Sequence, residues 1–135
     1  MTSKSLDPVR AAIEIFIKIR DEVGSEKEGS KLRARSRDAP EMFESMGLIP
    51  ALSFFYSKKD NKDYRLMLKA ILLYLKKIGV VSSGKDVDAL ISNPRQMVDE
   101  LQNLFEKSKA ILPILRPFLV EFKRLCEASW EAGEQ

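Results

Sequence analysis

Paired acids at Asp86-Val87-Asp88 and Asp99-Glu100 are where hydrolytic or phosphoryl chemistry would start in this sequence, because neighbouring carboxylates can hold a divalent cation or share acid and base roles. Neither pair comes with the histidine, glycine loop or third carboxylate that metal-dependent phosphoryl transfer usually needs. The chain contains no histidine at all, which removes the usual general base, the usual proton shuttle and the commonest metal ligand together. Its glycines fall into no phosphate-loop or dinucleotide pattern, and no serine stands in a G-x-S-x-G context. The acids therefore read as first-turn or solvated-face residues, and no catalytic residue, metal site, cofactor or small-molecule substrate is expected. Cys126, the single cysteine, cannot close an internal disulfide, and its spacing to Phe122 and Leu125 is that of a small buried hydrophobe.

Binding chemistry is better represented. Net charge is +3, a mild excess whose arrangement matters more to a polyanionic partner than its size. In Lys31-Leu32-Arg33-Ala34-Arg35-Ser36-Arg37, helical spacing sets Lys31 above Arg35 and Arg33 above Arg37, two short basic rows with no acid inside the run. Lys62, Arg65, Lys69 and Lys76 fall within about 60° of one another at 100° per residue, a stripe about 20 Å long on one helix. Such a stripe can follow several consecutive phosphates, and arginine adds bidentate geometry. On charge alone, Lys59, Lys62, Arg65 and Lys69 are candidates for contact with a nucleic-acid backbone. The same pattern also fits an apolar helix that needs one hydrated face. The Phe and Tyr residues sit at core spacing and do not alternate with the basic ones, so any contact is expected to be independent of base sequence.

The elements that would position these charges are all helices. Asp7-Pro8 supplies an N-cap acceptor and a first-turn proline, and Val9, Ala12, Ile13, Phe16 and Ile17 recur as one core-facing stripe. Polar, glycine-bounded 23–30 is predicted to be a flexible loop. Ser30 can cap a basic helix that breaks or kinks near Pro40, where Asp38 and Glu41 have capping-box spacing, and Gly47 ends it. A short helix with Ala51, Leu52, Phe54, Phe55 and Tyr56 follows, read as a poor contributor to the core. Asp63 to Ile78 is the most apolar segment and should be the central helix, ended by Gly79. Ser82-Ser83-Gly84 and Lys85 to Ser92 read as a turn and a short helix, and Asn93-Pro94 opens another with Met97, Val98, Leu101, Leu104, Phe105 and Leu112. A last helix carrying Leu115, Phe118, Leu119, Phe122, Leu125 and Cys126 follows a break near Pro113, and 131–135 is predicted to be a frayed tail.

Apolar and polar residues alternate nowhere for long, so no strand is expected. With 135 residues and 44% apolar content the chain suits a single domain spanning 1–135, an all-α compact bundle of about six helices. No run approaches eighteen apolar residues and the first residues lack a secretory apolar stretch, so a cytoplasmic protein with no membrane contact is expected.

Residues 32–58, from Leu32 through the Pro40, Gly47-Leu48 and Ala51-Leu52-Ser53-Phe54 positions to Lys58, resemble the small-subunit family of Cmr, the type III-B CRISPR RNA-guided effector. Arg35, Arg37, Pro40, Met42, Gly47, Leu48, Ala51, Leu52, Phe54 and Lys58 occupy the family's places, and Tyr64 to Leu75 and Ser108 to Ala128 resemble its later helices. In that family the last helix is continuous, whereas Pro113 and Pro117 predict an interruption here. The resemblance implies a helical subunit without catalytic activity, partnered by other Cmr subunits and by copies of itself along a filament, and flanking guide and target RNA. By this carry-over Arg33, Arg35, Arg37 and Lys58 are the first candidates for RNA-backbone contact, with sequence read by base pairing. Were the likeness misleading, the charge pattern would fit a helical protein-interaction adaptor whose basic face docks an acidic partner. Replacing Arg33 and Arg35 together by glutamate is expected to leave helicity and melting temperature nearly unchanged, because exposed charges contribute little to stability.

Overall fold

Asp7 accepts the Val9 N–H at 3.0 Å and Pro8 fills the first turn, so α1 (Pro8–Arg20) begins where capping chemistry places it. The computed structural model describes residues 7–82, 84 and 86–133. Among them the regular elements are α1, α2 (Glu26–Met46), α3 (Leu48–Ser57), α4 (Lys62–Lys77), α5 (Val87–Ser92), α6 (Pro94–Phe105) and α7 (Ser108–Ser129), an all-α bundle of seven helices where about six were predicted. Asn93 caps α6 by accepting the Gln96 N–H at 3.1 Å, again as its sequence implies. Ser83, in the predicted turn, and Lys85, at the start of the predicted short helix, lie outside the described residues. No helix among the described residues is long and apolar enough to cross a membrane.

The predicted loop over 23–30 is a correction, because helix α2 already starts at Glu26. Ser25 accepts the Glu28 N–H at 3.2 Å, while the Glu28 carboxylate accepts the Gly24 N–H at 2.7 Å. This closely resembles a capping box, whose Ser-x-x-Glu signature the low apolar content of the segment concealed. The Gly24 N–H and the Lys62 ammonium together hold the Glu28 carboxyl below its ordinary pKa.

At Pro40, where a kink or break was predicted, there is no break, and the break predicted near Pro113 is corrected, since the chain turns instead at 106–107, between α6 and α7. Pro40 lies inside α2, and Pro113 and Pro117 inside α7. Pro113, Ile114, Arg116 and Pro117 face solvent, so the rings crowd no neighbouring helix and the carbonyls they leave unbonded face outward. On the opposite face Ile111, Leu115, Phe118, Leu119, Phe122 and Cys126 are buried. Burial of that unbroken face outweighs the roughly 3 kcal/mol that a mid-helix proline costs.

Helix α4 is the central element, with Leu66, Met67, Leu68, Ala70, Ile71, Leu72, Tyr74 and Leu75 all buried. It packs against α1, α2, α3 and α5, and α7 closes the other side against α1 and α2. A row of rings joins them: Tyr74 stacks on Phe118 at 4.5 Å, Phe118 lies 5.8 Å from Phe122, Phe122 5.7 Å from Phe16, and Phe16 5.5 Å from Trp130. Cys126 is buried beside Ser36, and burial pushes its thiol up to about 12. Contrary to expectation, α3 belongs to the core, with Leu48, Ala51, Leu52 and Phe55 buried and Phe55 stacked on Phe43.

The predicted core face of α1 is only half correct. Ala12 and Phe16 are buried, together with Ala11, Ile15 and Ile19, but Val9, Ile13 and Ile17 are each more than two-fifths exposed. The apolar arc of this helix is about 240° wide at 100° per residue, more than two neighbouring helices can cover. The alanine side is the one that packs, because small side chains let α1 approach α4 and α7 closely.

The predicted fraying of 131–135 does not extend to its described part. Ser30 donates its hydroxyl to the Glu131 carbonyl at 2.7 Å, and the Glu131 N–H donates to Glu26 at 2.9 Å. These bonds strap 131–133 across the start of α2, and residues 134 and 135 lie outside the described residues. Trp130 packs so closely on Gly29 that a Cβ there would stand 2.2 Å from the indole Cδ1. Gly29→Ala is therefore expected to displace Trp130 and cost about 1 to 3 kcal/mol, the range for overpacking, despite the better helix propensity of alanine. Thermal melting followed by circular dichroism checks this, and a stabilised variant would show that the contact yields easily.

Candidate nucleic-acid interface

Because α2 is clamped at its start by the 131–133 strap and along its length by α4 and α7, its basic residues emerge together on one side. Lys27, Lys31, Arg33, Arg35 and Arg37 line a cleft of about 360 Å³, closed by Ser30, Asp63, Ala132 and Gly133. Among the described residues, Asp63 is the one carboxylate in that lining, and it already pairs with Arg35 at 3.6 Å. The cleft therefore carries a strong positive excess in a partly enclosed place, where charges are less screened than on a flat surface.

The α2 candidates differ in how they are held. Arg37 is half exposed and touches Asp38 at 3.5 Å. Arg33 is half-buried, with an Nε atom that is buried and has no hydrogen-bond partner among the described residues. Arg35 is held hardest: its guanidinium lies 4.7 Å over the Tyr64 ring, hydrogen-bonds the Tyr64 hydroxyl and faces Asp63. Lys58 extends the same chain of contacts from the far side, 5.7 Å from the Phe54 ring, which is edge-on to Tyr64 at 5.9 Å. Lys59 lies 4.6 Å over Tyr56.

The stripe on α4 is placed differently. Lys62 pairs with Glu28 at 2.9 Å, and Arg65 donates to the Lys59 carbonyl at 2.9 Å. Lys69 is only 13% exposed and bonds both Glu22 and Asp88. Burial alone would lower the Lys69 pKa, but the bonds to those two carboxylates outweigh it and hold the pKa above its ordinary value. These cations tie α4 to the α1–α2 connection, to the first turn of α2 and to α5. The structure thus gathers Arg33, Arg35 and Arg37 at one cleft, sets Lys58 and Lys59 beyond an aromatic pair, and engages Lys62, Arg65 and Lys69 within the bundle. Lys27, Asp63, Tyr64 and the Ala132-Gly133 strap were not among the sequence candidates, and only Lys27, as part of the polar run before Lys31, carried a local signal.

Residues 9–109 match the family model described as CRISPR-associated protein (Cas_Cmr5). The chain belongs to that family. Its matched region holds α2, α3 and α4, and so every basic residue of the cleft, while the strap at 131–133 lies beyond it. No curated protein matches the sequence. Among solved structures, one chain of a cryo-EM structure of the Type III-B Cmr-beta bound to cognate target RNA and AMPPnP is similar at 23% identity, with a TM-score of 0.84. The likeness covers 98% of this chain and 100% of that one, so the Cas_Cmr5 member described here shares that chain's fold from end to end, α7 included.

Proposed function

We propose that this chain is a non-catalytic small subunit of a type III-B CRISPR effector, stacked with copies of itself along the complex's backbone subunits, with its α2 cleft turned toward the backbone of guide or target RNA. The observation that carries the reading is the cleft: among the described residues, five cations converge there around one carboxylate that is already paired. That arrangement suits a chain of phosphates, whose binding releases counterions. Family membership supports the effector assignment, and the fold is shared with a chain from an assembly bound to target RNA. A sequence without histidine supports a binding role, with RNA cleavage left to a partner chain. In this reading Lys31, Arg33, Arg37, Lys58 and Lys59 face phosphates, Lys62, Arg65 and Lys69 hold the frame that presents them, and Arg35 does both.

The test is affinity purification of the tagged chain from its native host, with co-purifying chains and short RNA identified and the wash repeated at raised salt. A multi-subunit assembly containing guide-length RNA is the expected result. Recovery of one acidic protein without RNA would overturn the proposal and favour an adaptor role.

A further inference from the structure

We propose that the slot next to the cleft receives one unpaired nucleobase, stacked on Phe54 and edge-on to Tyr64, from the RNA whose phosphates lie along α2; this rests on the RNA-facing reading above. The slot measures about 190 Å³ and is lined by Arg35, Asp38, Met42, Phe54, Phe55 and Tyr64. It shares Arg35 with the basic cleft, so that one side chain forms the wall between a cationic space and an aromatic one. A nucleotide has the same two halves, a phosphate and a planar base, one sugar apart.

The slot is built for a π-face. Phe54, Tyr64 and Met42 are only partly covered, whereas Phe43 and Phe55 behind them are buried. Arg35 over Tyr64 and Lys58 beside Phe54 set a cation at each end of the aromatic pair, where it can reach the phosphates flanking a stacked base. Single-stranded nucleic acids are held by this combination of positive track and aromatic platform, and a base already stacked within a duplex cannot enter it. Hydrogen-bond readout is weak by construction. The Tyr64 oxygen already accepts from Arg35, leaving only its O–H to donate, and Asp38 is paired with Arg37 at 3.5 Å, so the slot should accept any base with little preference.

The test compares a short fluorescent oligoadenylate with an abasic ribose-phosphate oligomer of equal length, both titrated with the full chain at low salt and followed by anisotropy. The base-bearing strand is expected to bind about five- to tenfold more tightly, the weaker end of the range for stacking one base on an aromatic side chain. Phe54→Leu keeps apolar volume against Phe55 and Tyr64 while removing the π-face, and should erase that difference without changing affinity for the abasic strand. Equal binding of both strands by the unaltered chain would overturn the base slot and leave the phosphate cleft standing. Absence of salt-dependent binding to either would overturn both.

Discussion

Replacing Lys31 and Arg37 together by glutamate is expected to weaken binding to single-stranded RNA by about ten- to a hundredfold at moderate salt, with melting temperature almost unchanged. Both side chains are exposed at the cleft and neither is built into the core. Removing two phosphate partners should also flatten the plot of log affinity against log salt by about 1.4, since each single-strand contact contributes about 0.7. Exposed charges of this kind shift stability by no more than about 0.5 kcal/mol. Anisotropy titrations at several salt concentrations, beside a thermal melt, read both quantities; an unchanged slope would show that RNA does not follow α2. Arg35 does not belong with this pair. The expectation that reversing Arg33 and Arg35 leaves stability untouched gives way to the geometry, because a carboxylate at position 35 would face Asp63 and lose the Tyr64 contacts. The clean test of binding therefore avoids it.

Leu72→Ala is expected to destabilise the fold by about 2 to 5 kcal/mol, the cost of lost burial plus a cavity that a packed core closes only partly. Leu72 is fully buried on α4, between the fully buried Ile71 and a helix face that reaches Tyr74 and Leu75. Because α4 contacts five other helices, no single neighbour can move in to fill the space without leaving another contact. The melting temperature should fall by roughly 6 to 20 °C for a domain of this size, measured by circular dichroism. A drop of less than a degree would mean that the centre of the bundle is loosely packed.

How far the sequence could be read depended on whether the deciding forces were local. The caps at Asp7 and Asn93 and the apolar bulk of α4 are properties of a few consecutive residues, and all three were legible. The helix continues through Pro113 and Pro117 against expectation because the cost of a proline is local, whereas the burial that offsets it comes from other helices. The start of α2 was misjudged for the opposite reason: the Ser25-x-x-Glu28 signal was present, and the low hydropathy of its surroundings was given more weight. For α1, periodicity gave an arc wider than the core could use, and only packing decided that Ala11 and Ile15 go inside while Ile13 stays out. The basic run on α2 was plain from spacing. What shapes it into a cleft was not, because Arg35 meets Tyr64 across 29 positions and Ser30 meets Glu131 across 101. The engagement of Lys69 by Glu22 and Asp88 is of the same kind, and no helical wheel shows it.

Trp130 is the only tryptophan in the chain, and it rests on Gly29 and Phe16 where the strap meets α2. Its emission spectrum is therefore a built-in optical probe of one place, the base of the strap whose Ala132 and Gly133 close the basic cleft. A red shift that precedes the loss of helical signal on heating would mean that the strap lets go before the bundle opens. A blue shift or quenching on adding RNA would report occupancy of the cleft without any label on either molecule.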